Sequence, residues 1–332
     1  MTAGGNCPLD VWQARHDLTA VNETLEFLRN PPPCGAPRFW RTPHGRQLAW
    51  NEYGMPDGVP IFFYHGWPGC RLQARLTHAL AYERGLRIIA IDRPGIGQST
   101  HHAKRTLESW PRLMVKFTAA HGIGTFGQLA ISGGAPYALA CAAEMPERLS
   151  ASAVLAGAVP LGEPGMRIDR LHPLYQILIS LRKFIPPPAL TGIFRLAGMA
   201  SHLSPVRPPL AWLLQTLAEE DRKIFVEFPT VWEVIASSFR EAIRGGGRGL
   251  MTDAEIYLQE IPYDLAKIRH PIHFWHGAED RNIPLELMRE FTGRIAMARL
   301  ESVAALGHFS LVILKAAAAL DFLRDSSNAT RV

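Results

Sequence analysis

The chain has 332 residues, 47% of them hydrophobic and 20% charged, a globular composition that excludes a largely disordered chain and suffices for one large domain or a domain with a cap. Its net charge of +5 arises from 35 basic and 30 acidic residues scattered along the sequence, with no Lys/Arg run to track phosphates, so no nucleic-acid partner is expected. Cys7, Cys34, Cys70 and Cys141 show no C-x-x-C pair and no zinc or disulfide spacing, so free thiols and no metal site are expected.

No stretch reaches the roughly 18 apolar residues of a membrane span. The N-terminus lacks the basic start and apolar run of a signal peptide, which makes the cytoplasm the default location. Val11, Leu18, Val21, Leu25 and Leu28 recur at near-helical spacing before Pro31-Pro32-Pro33, predicting an amphipathic helical arm within residues 1–36.

From residue 38 the pattern changes. Short β-rich runs at 39–42, 47–53, 61–64, 86–91, 128–132 and 152–158 are joined in their later part by helical patterns at 71–84, 105–120 and 135–145. Such alternation predicts βαβ units and an α/β fold, a mainly parallel sheet with helices on both faces. Residues 161–264 read instead as helices and proline-rich loops, an inserted helical cap. The strand–helix rhythm resumes with strands at 272–275 and 299–303 and helices near 285–295 and 309–324, so the core comprises 37–160 and 265–332.

Chemistry concentrates at the carboxyl ends of the predicted strands, where ligands of open α/β sheets bind. Leu129-Ala130-Ile131-Ser132-Gly133-Gly134 passes from an apolar strand into a helix, with small neighbours that let a serine hydroxyl protrude from a tight, strained turn. His65-Gly66-Trp67-Pro68-Gly69 follows the strand at 61–64; its glycines let the Trp67 amide point at the same oxyanion as the Gly133 amide. His65 itself is expected to shape that loop through backbone hydrogen bonds. Asp92-Arg93-Pro94-Gly95-Ile96-Gly97-Gln98-Ser99 reads as a structural turn whose first two residues fix it. Asp280 lies in the turn after 272–275, placed to orient a histidine, and His308 in the loop after 299–303.

These motifs resemble the α/β-hydrolase superfamily, especially members carrying His-Gly-x-Pro-Gly, Asp-Arg-Pro-Gly-x-Gly-x-Ser and Ser-Gly-Gly-x-Pro-Tyr-Ala-Leu. The resemblance covers about 38–160 and 265–325. It implies Ser132 as nucleophile, Asp280 as acid, His308 as base, Trp67 and Gly133 as oxyanion amides, and no cofactor. Ala130 departs from the pattern, standing where the elbow usually has its first glycine.

A serine in the elbow points to acyl transfer, because the dehalogenases and epoxide hydrolases of this fold use aspartate there. The expected reaction is hydrolysis of an ester or lactone of a small, largely apolar molecule. A proline-releasing aminopeptidase, a carbon–carbon bond hydrolase, a cofactor-free perhydrolase and a ligand receptor are alternatives. Glu279 is a second candidate acid. From the large apolar residues of the cap and the loop after His308, Trp212, Trp232 and Phe309 are expected to contact the substrate, and the chain to be a monomer or homodimer.

Overall fold

The computed structural model describes residues 28–181 and 184–329; most of the expected N-terminal arm and Cys7 lie outside them. Eight strands form one sheet: β1 (Arg38–Arg41), β2 (Gln47–Gly54), β3 (Val59–Tyr64), β4 (Leu86–Ile91), β5 (Phe126–Ile131), β6 (Leu149–Leu155), β7 (Ile272–Gly277) and β8 (Ala298–Val303). Their order is β1-β2-β4-β3-β5-β6-β7-β8, antiparallel at the β1–β2 and β2–β4 pairs and parallel from β4 onward.

Period-2 alternation sends successive side chains of the central strands to opposite faces. Phe62, Tyr64, Ile89 and Ile91 enter a core shared with Trp110, Met114 and Phe117 of α2 (Ser109–Ala120) and with α3 (Ala135–Glu144). Ile61, Phe63, Ile88 and Ala90 face the other way, toward Leu80 of α1 (His78–Glu83) and Leu320 and Leu323 of the last helix. Covering both faces is why β5 and β7 are buried along their whole length.

Residues 161–264 contain no strand among the described residues. They form α4 (Pro173–Leu181), α5 (Pro187–Ala200), α6 (Leu210–Leu214), α7 (Glu219–Glu227), α8 (Pro229–Ala242) and α9 (Arg248–Tyr257). After β7 come α10 (Leu285–Thr292), α11 (His308–Leu314) and α12 (Ala316–Ala329).

Two local expectations are corrected. The helical pattern at 71–84 divides into a 3-10 stretch, Arg71–Thr77, and α1. The single helix expected near 309–324 breaks at Lys315, whose φ of −101° and ψ of 1° leave the helical region, so that α11 is a short separate element carrying the loop histidine.

Candidate active site

Ser132 follows β5 directly and has φ +47°, a left-handed backbone rare for a residue with a Cβ. The surroundings hold it there. The Ala158 amide donates to the Ser132 carbonyl at 2.9 Å, and the Tyr257 hydroxyl donates to the Gly133 carbonyl at 2.8 Å. At 134 a Cβ would stand 2.1 Å from the Tyr64 carbonyl oxygen, so the close passage of the turn across β3 requires glycine. Ala130, in place of the elbow's usual glycine, is fully buried between Tyr64 of β3 and Val154 of β6.

Trp67 closes over this turn. A Cβ built at Gly133 would stand 3.1 Å from the Trp67 backbone nitrogen, so the loop after β3 passes close against this turn. Among the described residues the Trp67 amide has no acceptor within the chain. Its indole donates to the Leu250 carbonyl of α9 at 3.0 Å, and Gln73 accepts from the Gly66 amide at 2.7 Å. His65 is fully buried, bonded through Nδ1 to the Gly66 carbonyl, with its pKa pushed well down by burial and by Arg93. A neutral ring tied to backbone fits the loop-shaping role expected of it.

Asp280 and His308 are brought together. His308 Nδ1 lies 2.7 Å from Asp280 Oδ2, while Asp280 Oδ1 accepts the Asn282 and Ile283 amides at 2.8 and 2.9 Å. His276 approaches the same carboxylate at 3.5 Å. Burial pushes the Asp280 carboxyl up, but the His308 charge and hydrogen bond, His276 and the Ile283 amide outweigh it, leaving the pKa below the usual range. For His308, burial opposes the charged form, yet Asp280, with a further contribution from Asp221, holds the imidazole pKa above its ordinary value. Glu279 is exposed beside the buried Asp280.

Two cavities meet at Ser132. One, about 210 Å³, is lined by Ser132, Trp67, His308, Phe309, Trp232 and Tyr175 among others; the second, about 120 Å³, by Ser132, Gly133, Tyr175, Leu171, Phe194 and Tyr257 among others. Of the residues expected to contact the substrate, Trp232 and Phe309 line the first of these cavities. Trp212 is 65% exposed and lines neither cavity. Phe184, at 83% exposure, also stands on the surface.

The Asp92 turn is fixed as expected, by partners that sequence spacing does not reveal. Asp92 accepts the Arg71 amide at 2.9 Å and pairs with the Arg71 guanidinium, which reaches Glu241 of α8 at 2.9 Å. Arg93 donates to the His65 carbonyl at 2.7 Å and pairs with buried Asp253 of α9 at 2.8 Å; Arg105 pairs with the same carboxylate. The insert is thus tied by charge to the loops around Ser132.

Residues 59–313 match the family model of the alpha/beta hydrolase fold. A proline iminopeptidase of Neisseria meningitidis is 33% identical over 106 residues, 31% of this chain; the chain spans about a third (34%) of that relative's length. A bifunctional esterase/perhydrolase of Acinetobacter calcoaceticus is 23% identical over 251 residues, covering 74% of this chain and 83% of the relative. An alpha/beta hydrolase fold protein from Nakamurella multipartita has a similar fold, with TM-score 0.60 and 22% identity over 87% of this chain and 99% of that one.

Proposed function

Because the chain belongs to the alpha/beta hydrolase fold family, we propose that it is a serine hydrolase cleaving a carboxylic ester or lactone of a small, largely apolar substrate. The observation that carries this reading is the 2.7 Å Asp280–His308 pair, whose histidine lines the same cavity as Ser132.

In the proposed cycle the proton of the Ser132 hydroxyl passes to His308 Nε2 as the oxygen attacks the carbonyl carbon. The negative charge that develops on the carbonyl oxygen is met by the Trp67 and Gly133 amides. Asp280, held ionised, keeps the Nδ1 proton in place and stabilises the imidazolium. His308 then gives its proton to the departing alkoxide, leaving Ser132 acylated. A water deprotonated by the same ring attacks the acyl-enzyme, and the proton returns to Ser132 as the acid leaves.

The helices of 161–264 act as the cap, covering the serine and excluding water. Among the described residues lining the two cavities none is Asp, Glu, Lys or Arg. That favours uncharged groups on both sides of the scissile bond over the free amine that an aminopeptidase must hold. The local likeness to a proline iminopeptidase covers too little of that relative to reverse this preference.

The test is a panel of p-nitrophenyl esters of rising acyl length run beside proline p-nitroanilide. The proposal expects kcat/KM to rise with each added methylene, by up to about 0.8 kcal/mol, until the cavity is filled. Faster turnover of the proline amide would overturn it.

A further inference from the structure

The helix that starts with His308 lacks a capping side chain of its own, since its N-cap is Gly307. Ser, Thr, Asp or Asn ordinarily satisfies the orphan amides of a first turn from that position. Here the acceptor comes from the cap. Asp221, in the first turn of α7, accepts the His308 amide through Oδ2 at 2.9 Å and the Ser310 amide through Oδ1 at 2.8 Å. The Ser310 hydroxyl donates to Asp221 Oδ1 at 2.7 Å and accepts the Gly307 amide at 2.8 Å. Asp221 is 1% exposed and Ser310 fully buried.

Two further observations fit this arrangement. A Cβ at position 307 would stand 2.4 Å from Asp221 Oδ2, so the carboxylate's seat requires the glycine that precedes His308. Around the hydrogen bonds, Phe225 of α7 packs against Phe309 at 5.1 Å between ring centroids and shares an apolar cluster with Ile313. Helix α7 is therefore docked on α11 by both polar and apolar contacts.

We propose, on the premise that His308 is the base of a serine hydrolase, that Asp221 is a positioning residue: from the cap it fixes the backbone of His308 and so aligns the imidazole between Asp280 and Ser132. Seating of the cap and alignment of the base become one event. A lifted α7 takes the acceptor away from the first turn of α11, and a reseated α7 restores it. The charged and titratable groups acting on His308 are Asp280 from the loop after β7, itself touched by His276, and Asp221 from α7. Asp221 thus also contributes negative charge beside the ring that becomes positive during turnover.

The test is steady-state kinetics of Asp221→Asn with p-nitrophenyl butyrate across pH 5–9, with His308→Ala beside it. The expected result is a kcat lowered about 10- to 100-fold with KM little changed, because a displacement of about 1 Å in a catalytic group is enough for such a loss. Its acid limb should also move to lower pH: loss of the Asp221 charge lowers the pKa of the imidazole, which must be neutral to act. A merely structural role would lower activity without moving that limb. Should Asp221→Asn fail to fold, Ser310→Ala, which removes one of the carboxylate's three donors, is expected to lower kcat by a smaller factor in the same direction. Wild-type kcat in either variant, or an unmoved acid limb in Asp221→Asn, overturns the proposal. Retained turnover in His308→Ala overturns the hydrolase reading beneath it.

Discussion

The sheet and the helical insert are stabilised on different principles. In the sheet, β5 and β7 are buried end to end, and Ser132 and Asp280 lie within a few residues of a strand terminus whose neighbours fix its register. In the helical insert, exposed apolar side chains include Phe184 and Trp212, and the attachments to the core include buried carboxylates, Asp253 toward Arg93 and Arg105 and Asp221 toward the first turn of α11. Chemistry thus rests on a frame set by short-range sequence. The seating of the insert rests on contacts between residues far apart in the chain.

That division can be broken or sharpened by substitution. The largest effect is expected at the frame: Ser132→Ala should lower kcat by about three to six orders of magnitude without unfolding the protein, since only binding and the oxyanion amides remain. The double variant with His308→Ala should be little worse than either single one in the same assay, because the two act as a unit; additive losses would contradict this.

Asp280→Asn should cost about two to four orders of magnitude, the amide no longer holding the required tautomer. Glu279→Gln, at an exposed position beside it, should stay near wild type. The reverse ranking in kcat/KM would move the acid to 279.

In the wild type, kcat/KM should fall about tenfold per pH unit below the pKa of His308, because the protonated ring cannot accept the serine proton. As that pKa is raised, the fall should begin above the ordinary imidazole range; an acid limb at or below it would argue against the Asp280 pairing.

In the helical insert, Asp253→Ala leaves Arg93 and Arg105 buried without their partner and should destabilise the protein by about 3–5 kcal/mol, read as a lowered denaturant midpoint. The smallest effect separates two tryptophans. Trp232→Ala should flatten the dependence of kcat/KM on acyl length, while exposed Trp212→Ala should leave it intact; equal effects would show that the cavity lining is misassigned.

The parallel sheet, the helical insert and the strand-end motifs were legible in the sequence because each is local: a buried strand is an apolar run, and its turn is marked by glycine and proline. Even the departure at Ala130 could be read, as alanine is small enough to lie between Tyr64 and Val154. The antiparallel edge of β1 and β2 was not, since strand direction depends on the partner rather than the run. The exposure of Trp212 is not legible, because an apolar residue in a helical pattern does not say whether it meets a cavity or solvent. Asp221 and Asp253 are not legible in the sequence, since single acids in polar helical stretches look like solvated positions. The available clue to Asp221 was at its target, a helix start in Gly307-His308 with no capping side chain before it.

The most direct test of the central claim is mass spectrometry of the intact protein and its peptides after treatment with a small fluorophosphonate. The account predicts one adduct, on Ser132, formed rapidly by the wild type, lost in Ser132→Ala and strongly slowed in His308→Ala. An adduct on another residue, or labelling of Ser132 at the same rate without His308, would contradict it.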